Sequence, residues 1–145
     1  MNHKSHIKNP CTLLFLCLVF LFQSCSEKDN EKCDGACTEE YRTIIVKIVD
    51  SEDQPVALDS FKVVNLKNGR DLTIQVEEEV LQSIRERGSY PLFSDKYVQE
   101  YIQQQLDINF TGLIEGEEVV SEDYKVGADC CHVYHISGDL ELTLE

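Results

Sequence analysis

The densest set of reactive side chains lies near the C-terminus, in Asp129-Cys130-Cys131-His132 and His135, with Cys33 and Cys37 far upstream. Thiolates and imidazoles are the usual ligands of Zn²⁺, and Cys130, Cys131, His132 and His135 would fill a tetrahedral site. Strand geometry works against that use. If Cys131 to Ile136 is a strand, alternate side chains share a face, so His132 and His135 point apart. The same alternation separates Cys131 from His132 as a nucleophile and its base. No Gly-x-Ser-x-Gly, phosphate-binding glycine loop or His-Glu-x-x-His occurs. The acidic runs Glu77-Glu78-Glu79, Glu115-Gly116-Glu117-Glu118 and Glu122-Asp123 lack the spacing of a calcium loop and read as solvated surface. With no tryptophan, a sugar-stacking platform would rest on Tyr90, Tyr97 and Tyr101, which read better as core. The expectation is a non-enzymatic binding or accessory module without a cofactor, the alternative being a Cys/His metal-binding or redox-active protein that uses the cluster from Cys130 to His135.

Where these residues work is set by the first thirty positions. Lys4 and Lys8, with no acid, lead to Pro10, and Cys11 to Phe22 is then apolar except for Thr12. As a helix this run would rise about 18 Å, short of the roughly 30 Å hydrocarbon core, and so it reads as a signal peptide. Phe22-Gln23-Ser24-Cys25 resembles the lipobox of bacterial lipoproteins, although Phe22 stands where Leu is usual and Gln23 where a small residue is usual. The following Ser26-Glu27-Lys28-Asp29-Asn30-Glu31 is similar to the export tag of surface-exposed lipoproteins in Bacteroidota. The resemblance implies that residues 1–24 are removed and that Cys25 carries lipid. It also implies anchorage of the exported chain at the outer membrane or cell surface. The membrane is then one partner and an envelope protein the other to look for.

That assignment sorts the seven cysteines. Cys11 and Cys17 leave with the signal and Cys25 takes lipid, so Cys33, Cys37, Cys130 and Cys131 remain. An even set in an exported domain predicts disulfides, with three pairings available. A bond within Cys130-Cys131 would close a strained ring, which favours two bridges between the N-terminal and C-terminal pairs. A link such as Cys37 to Cys130 would close a loop of about 94 residues and contribute about 4–5 kcal/mol at most in the chain-entropy model. It would tie the first strand to the penultimate one.

Because residues 1–24 hold two lysines and no acid, the remaining chain carries 11 basic against 27 acidic residues, a formal charge of −16. Nucleic acid and anionic headgroups are poor partners for such a surface. The length suits one domain with a modest core.

Residues 25–40 form a polar, acidic tether and residues 41–145 the folded domain. Tyr41 to Val49 is rich in β-branched residues, with Ile44, Val46 and Ile48 on one face and Thr43, Ile45 and Lys47 on the other. Phe61 to Leu66 and Asp71 to Val76 read as strands joined by an Asn68-Gly69 hairpin. Glu77 to Arg87 reads as a short helix stopped by Gly88, with acids in its first turn and arginines in its last. Ser94 to Gln104, with Ser94 or Asp95 as a candidate N-cap, reads as a second short helix or equally as a long loop over the sheet. Leu106 to Phe110, Leu113-Ile114, Glu118 to Lys125, Cys131 to Ile136 and Leu140 to Leu144 follow as strands, the last two flanking a turn at Ser137-Gly138-Asp139. The pattern predicts a mainly β fold: an antiparallel β-sandwich of about seven strands with one or two short helices in the middle. Ile45 to Leu58, IVKIVDSEDQPVAL, loosely resembles carboxypeptidase-regulatory or transthyretin-like β-sandwich domains, without the Gly usual at the turn.

Overall fold

A computed structural model describes residue 33 and residues 35–145. The expected signal peptide, Cys25 and most of the expected tether lie outside the described residues. Seven strands form two sheets facing one another, of order β3-β1-β7 and β2-β4-β5-β6. The strands are β1 (Thr43–Asp50), β2 (Ser60–Asn65), β3 (Ser89–Ser94), β4 (Gln104–Ile114), β5 (Glu117–Ala128), β6 (Val133–Ser137) and β7 (Glu141–Leu144). A helix, α1 (Glu78–Arg87), precedes β3, and a 3₁₀ turn at Asp95–Tyr97 runs into the single-turn α2 (Val98–Tyr101). The mainly β sandwich with two short helices is thus the fold.

The strand β1 is the middle of its sheet, antiparallel to β3 and parallel to β7. Its alternation works as the sequence predicts: Val46 and Ile48 are buried and Thr43, Ile45 and Lys47 are exposed. The core between the sheets joins them to Phe93, Ile108, Phe110, Tyr124 and Val126. Tyr90 is wholly buried, and its hydroxyl donates to Val56 O at 2.7 Å while accepting the Leu58 N–H at 2.7 Å. Tyr97 and Tyr101 are core residues too, Tyr97 stacking on Phe93 with ring centroids 5.2 Å apart.

Five expectations need correction. The Asn68-Gly69 turn forms, with Gly69 at φ 70, but Asp71–Val76 is no strand. The pairing stops because side chains take over from the main chain: Thr73 Oγ1 accepts the Val63 N–H, and Asp71 Oδ1 accepts the Thr73 N–H. In its place β3, for which no strand is expected, pairs with β1. Its sequence SYPLFS does not alternate, because five of its six residues are buried, and Pro91 lies where the β1–β3 register shifts. An edge strand tolerates the missing proline N–H there. The helix expected over 94–104 shrinks to residues 95–101, ended by Gln103 at positive φ.

The last two strands, finally, are not a hairpin. β6 closes the edge of the second sheet beside β5, and β7 crosses to the first sheet to run parallel to β1. That makes one pairing of an otherwise antiparallel sandwich parallel. Gly138, at φ 105, makes the crossing, and a Cβ there would lie 2.5 Å from the Tyr124 ring. The runs 106–110 and 113–114, expected as separate strands, are one strand, with a bulge between Gly112 and Leu113. Its hairpin to β5 turns on Glu115 and Gly116, φ 53 and 81, the two positive values of a type I′ turn.

Candidate functional site

The cysteine and histidine cluster forms a corner of the sandwich, organised by turns where a strand is expected. Asp129 Oδ1 accepts the N–H groups of Cys131 and His132, both at 2.7 Å, so residues 129–132 curl and β6 begins only at Val133. These N–H groups hold the Asp129 carboxyl below its ordinary pKa. Cys131 is bonded to Cys37, with Cα atoms 5.3 Å apart, a bridge from the N-terminal side to the C-terminal side. Cys33 and Cys130 are disulfide-bonded as well.

The tetrahedral set Cys130, Cys131, His132 and His135 is therefore not assembled: both sulfurs are oxidised and the imidazoles are used elsewhere. His132 is buried, with Nδ1 2.8 Å from Asp95 Oδ2 and Nε2 2.8 Å from Thr38 Oγ1. His135 is exposed and its Nε2 lies 3.0 Å from Gly138 O. Among the described residues no group of three or more His, Cys, Asp or Glu side chains is placed to hold a metal ion.

Asp95 is the member of this corner that sequence spacing could not supply, since it lies 37 residues from His132. Its carboxylate accepts the Arg42 N–H through Oδ2 and the Val133 N–H through Oδ1, each at 2.8 Å. Burial acts to raise its pKa, but the His132 hydrogen bond and these two N–H groups outweigh it and hold the carboxyl below its ordinary range. Carboxylate, imidazole and hydroxyl stand in the order of a nucleophile relay. The Asp95 oxygens, however, are committed to main-chain donors on two other segments. The arrangement works as a staple joining the chain at Thr38, Arg42 just before β1, the 3₁₀ turn and β6.

A second feature lies on the outer face of the β3-β1-β7 sheet. An open groove of about 480 Å³ runs between that face, the extended segment 74–76 and α1. Its apolar surface comes from Ile45, Ile74, Val76, Val80, Ile84 and Pro91. Ile45 and Val80 are 39% and 47% exposed. At the groove's edge Tyr41 keeps its hydroxyl 3.1 Å from Ser94 Oγ and accepts the Lys96 N–H at 3.2 Å, which fixes an otherwise exposed ring. The one sequence sign of this surface is Ile45, an isoleucine on the face of β1 otherwise given to Thr43 and Lys47.

No protein-family model, no curated protein and no solved structure matches this chain.

Proposed function

We propose that this chain is an exported, lipid-anchored module of the cell envelope that acts by binding and not by catalysis, with the outer-sheet groove as its binding face. The observation that carries the reading is the exposure of Ile45 and Val80 in one groove that Ile74, Val76, Ile84 and Pro91 also line. A pocket of this size falls within the range of small-molecule sites, roughly 300–1,000 Å³. Oxidised cysteines suit an exported domain, and Cys25 supplies the lipid attachment. The acidic surface supports a domain that stands off anionic headgroups on its anchor.

Two measurements on intact cells test the two halves of the proposal. Cys25→Ser should release the protein from the membrane fraction and remove the acyl mass from the mature chain. A photo-reactive residue at position 80 should give adducts that the same group at Lys62, on the opposite sheet, does not give. Membrane retention of Cys25→Ser would overturn the anchor, and equal labelling from positions 80 and 62 would overturn the groove.

A further inference from the structure

The groove has a polarity of its own. Val80, Ile84 and Arg87 follow at i, i+4 and i+7 on α1, so an arginine continues the apolar stripe that the helix presents. Along the axis, Val80 to Arg87 spans about 10 Å. Among the described residues none that lines the groove is acidic, in a chain with 27 acidic and 13 basic residues, and Arg87 is the only cation there. Neighbouring Arg85 is consumed by the fold: its guanidinium donates to Leu58 O, Asp59 O and Glu78 Oε1. Arg87 differs. Among the described residues its one hydrogen bond is from Nη1 to Ser83 Oγ at 2.7 Å, and no carboxylate pairs with it. That single bond turns the guanidinium back along its own helix and leaves most of its five N–H donors to a ligand.

We infer that the groove takes an amphiphile with one carboxylate, a linear alkyl acid of medium length, whose chain lies over Val80, Ile45 and Pro91 and whose carboxylate sits on Arg87. The inference rests on the proposed binding function and names its ligand class. Charge selects the head: the lining offers a guanidinium and no anion, so an acid gains a charge-assisted hydrogen bond that an alcohol or amine does not. The floor selects the tail. A peptide laid there would bury main-chain N–H and C=O groups against aliphatic side chains and a proline that has no N–H, which costs free energy unless partners are found. Of the four hydroxyls in the lining, those of Tyr41 and Ser94 bond each other and that of Ser89 donates to Arg87 O, which leaves Thr43. An alkyl chain carries no such groups.

The test uses the full chain reconstituted in nanodiscs, isotope-labelled so that the methyl groups of Ile45, Val80 and Ile84 and the Arg87 guanidinium are followed by NMR. Hexanoate, octanoate and decanoate are titrated beside decanol, decylamine and a short apolar peptide with a free C-terminus. Saturable shifts at these groups should appear with decanoate, tightening by about two- to fourfold per added methylene. Arg87→Gln should weaken decanoate at least fivefold, leave decanol unchanged, and be partly restored by Arg87→Lys. Decanol binding as tightly as decanoate, or an Arg87→Gln variant that loses nothing, would overturn the acid specificity while leaving a binding groove. Tighter binding of the peptide would overturn the ligand class. Absence of shifts at Ile45 and Val80 with every probe would overturn both the ligand class and the groove as the binding face.

Discussion

The His132 imidazole and the Asp95 carboxylate, each about nine-tenths buried as side chains, lie 2.8 Å apart and join the turn before β6 to the turn after β3. Asp95 also takes two main-chain N–H groups, so its removal strands three donors at once. Asp95→Ala should cost about 2–4 kcal/mol in denaturant unfolding, since donors deprived of a charged acceptor lose about 1.5–3 kcal/mol each and water reaches some of them. Asp95→Asn should cost less, because one amide oxygen remains to accept. A smaller loss for Ala than for Asn would contradict the staple.

The same carboxylate gives the stability a pH dependence of definite sign. Asp95, Asp129 and Asp71 all have folded-state pKa values below the ordinary one: for Asp129 and Asp71 because hydrogen bonds hold the ionised form, and for Asp95 because its hydrogen bonds overcome burial. A depressed folded pKa contributes stability above the unfolded value of about 3.9, and that stability is lost as pH falls through the folded value. Wild type and Asp95→Asn should therefore differ most in midpoint temperature at neutral pH, and converge as pH falls below the unfolded carboxylate value and through the folded one. A difference that persisted unchanged in acid would show that the charge of Asp95 contributes nothing.

Much of the fold is legible in the sequence wherever one face of an element is wet. β1 is readable because Val46 and Ile48 alternate with Thr43 and Lys47, and α1 because acids, arginines and Gly88 mark its ends. β3 is not, because Tyr90, Pro91, Leu92 and Phe93 are all buried and leave no period to count. Asp71–Val76 misleads for the opposite reason: it alternates well, yet Thr73 and Asp71 hydrogen-bond the main chain through their side chains. At the disulfide corner the four cysteines after Cys25 declare themselves by their even number. Asp95 stays hidden, since a carboxylate that closes a staple across 37 residues has no local signature. The groove shows only as Ile45 on the wrong face of its strand.

Tyr90 tests the seam between the loop and the core. Its hydroxyl serves the main chain at both Val56 and Leu58, and its ring packs edge-on to Phe61 at 5.6 Å. Tyr90→Phe keeps the ring and leaves the Leu58 N–H without its acceptor, so a loss of about 1–3 kcal/mol is expected in urea unfolding. Native-state hydrogen exchange should locate that loss at Leu58, and unchanged protection there would count against the hydroxyl bridge.

Gly88 ends α1 at φ 58 and gives its N–H to the carbonyls of Arg85 and Ile84, while its own carbonyl accepts the Ile48 N–H at 2.7 Å. A Cβ at this point would lie 2.4 Å from Ile48 O, a main-chain atom inside the sheet that has nowhere to go. Gly88→Ala therefore combines left-handed strain of about 1 kcal/mol with a backbone clash, and a total of about 2–4 kcal/mol is expected. Gly69 is the control, because it too has positive φ but meets nothing within 4 Å. Gly69→Ala should show the strain alone; equal losses at the two sites would mean that the Ile48 contact contributes nothing.

The bridge Cys37–Cys131 closes 94 residues of chain, nearly the whole folded domain, so it constrains the unfolded ensemble far more than it adds contacts to the folded one. In the chain-entropy model a loop of this length is worth about 4–5 kcal/mol, which for a domain of this size corresponds to a midpoint shift of well over about 10 °C. Reductant should produce a shift of that order. The Cys37→Ser/Cys131→Ser variant should give a smaller one, because the disulfides of Cys33 and Cys130 are kept. The effect should also appear mainly as faster unfolding of an otherwise native sandwich, since Asp95 still staples β6 to the turn after β3 through Val133 and His132. Alkylation of the native, unreduced protein checks the premise directly: Cys33, Cys37, Cys130 and Cys131 should all resist modification until reductant is added. Rapid labelling of Cys130 or Cys131 without reductant would restore a thiol to the corner and with it the chemistry that oxidation removes.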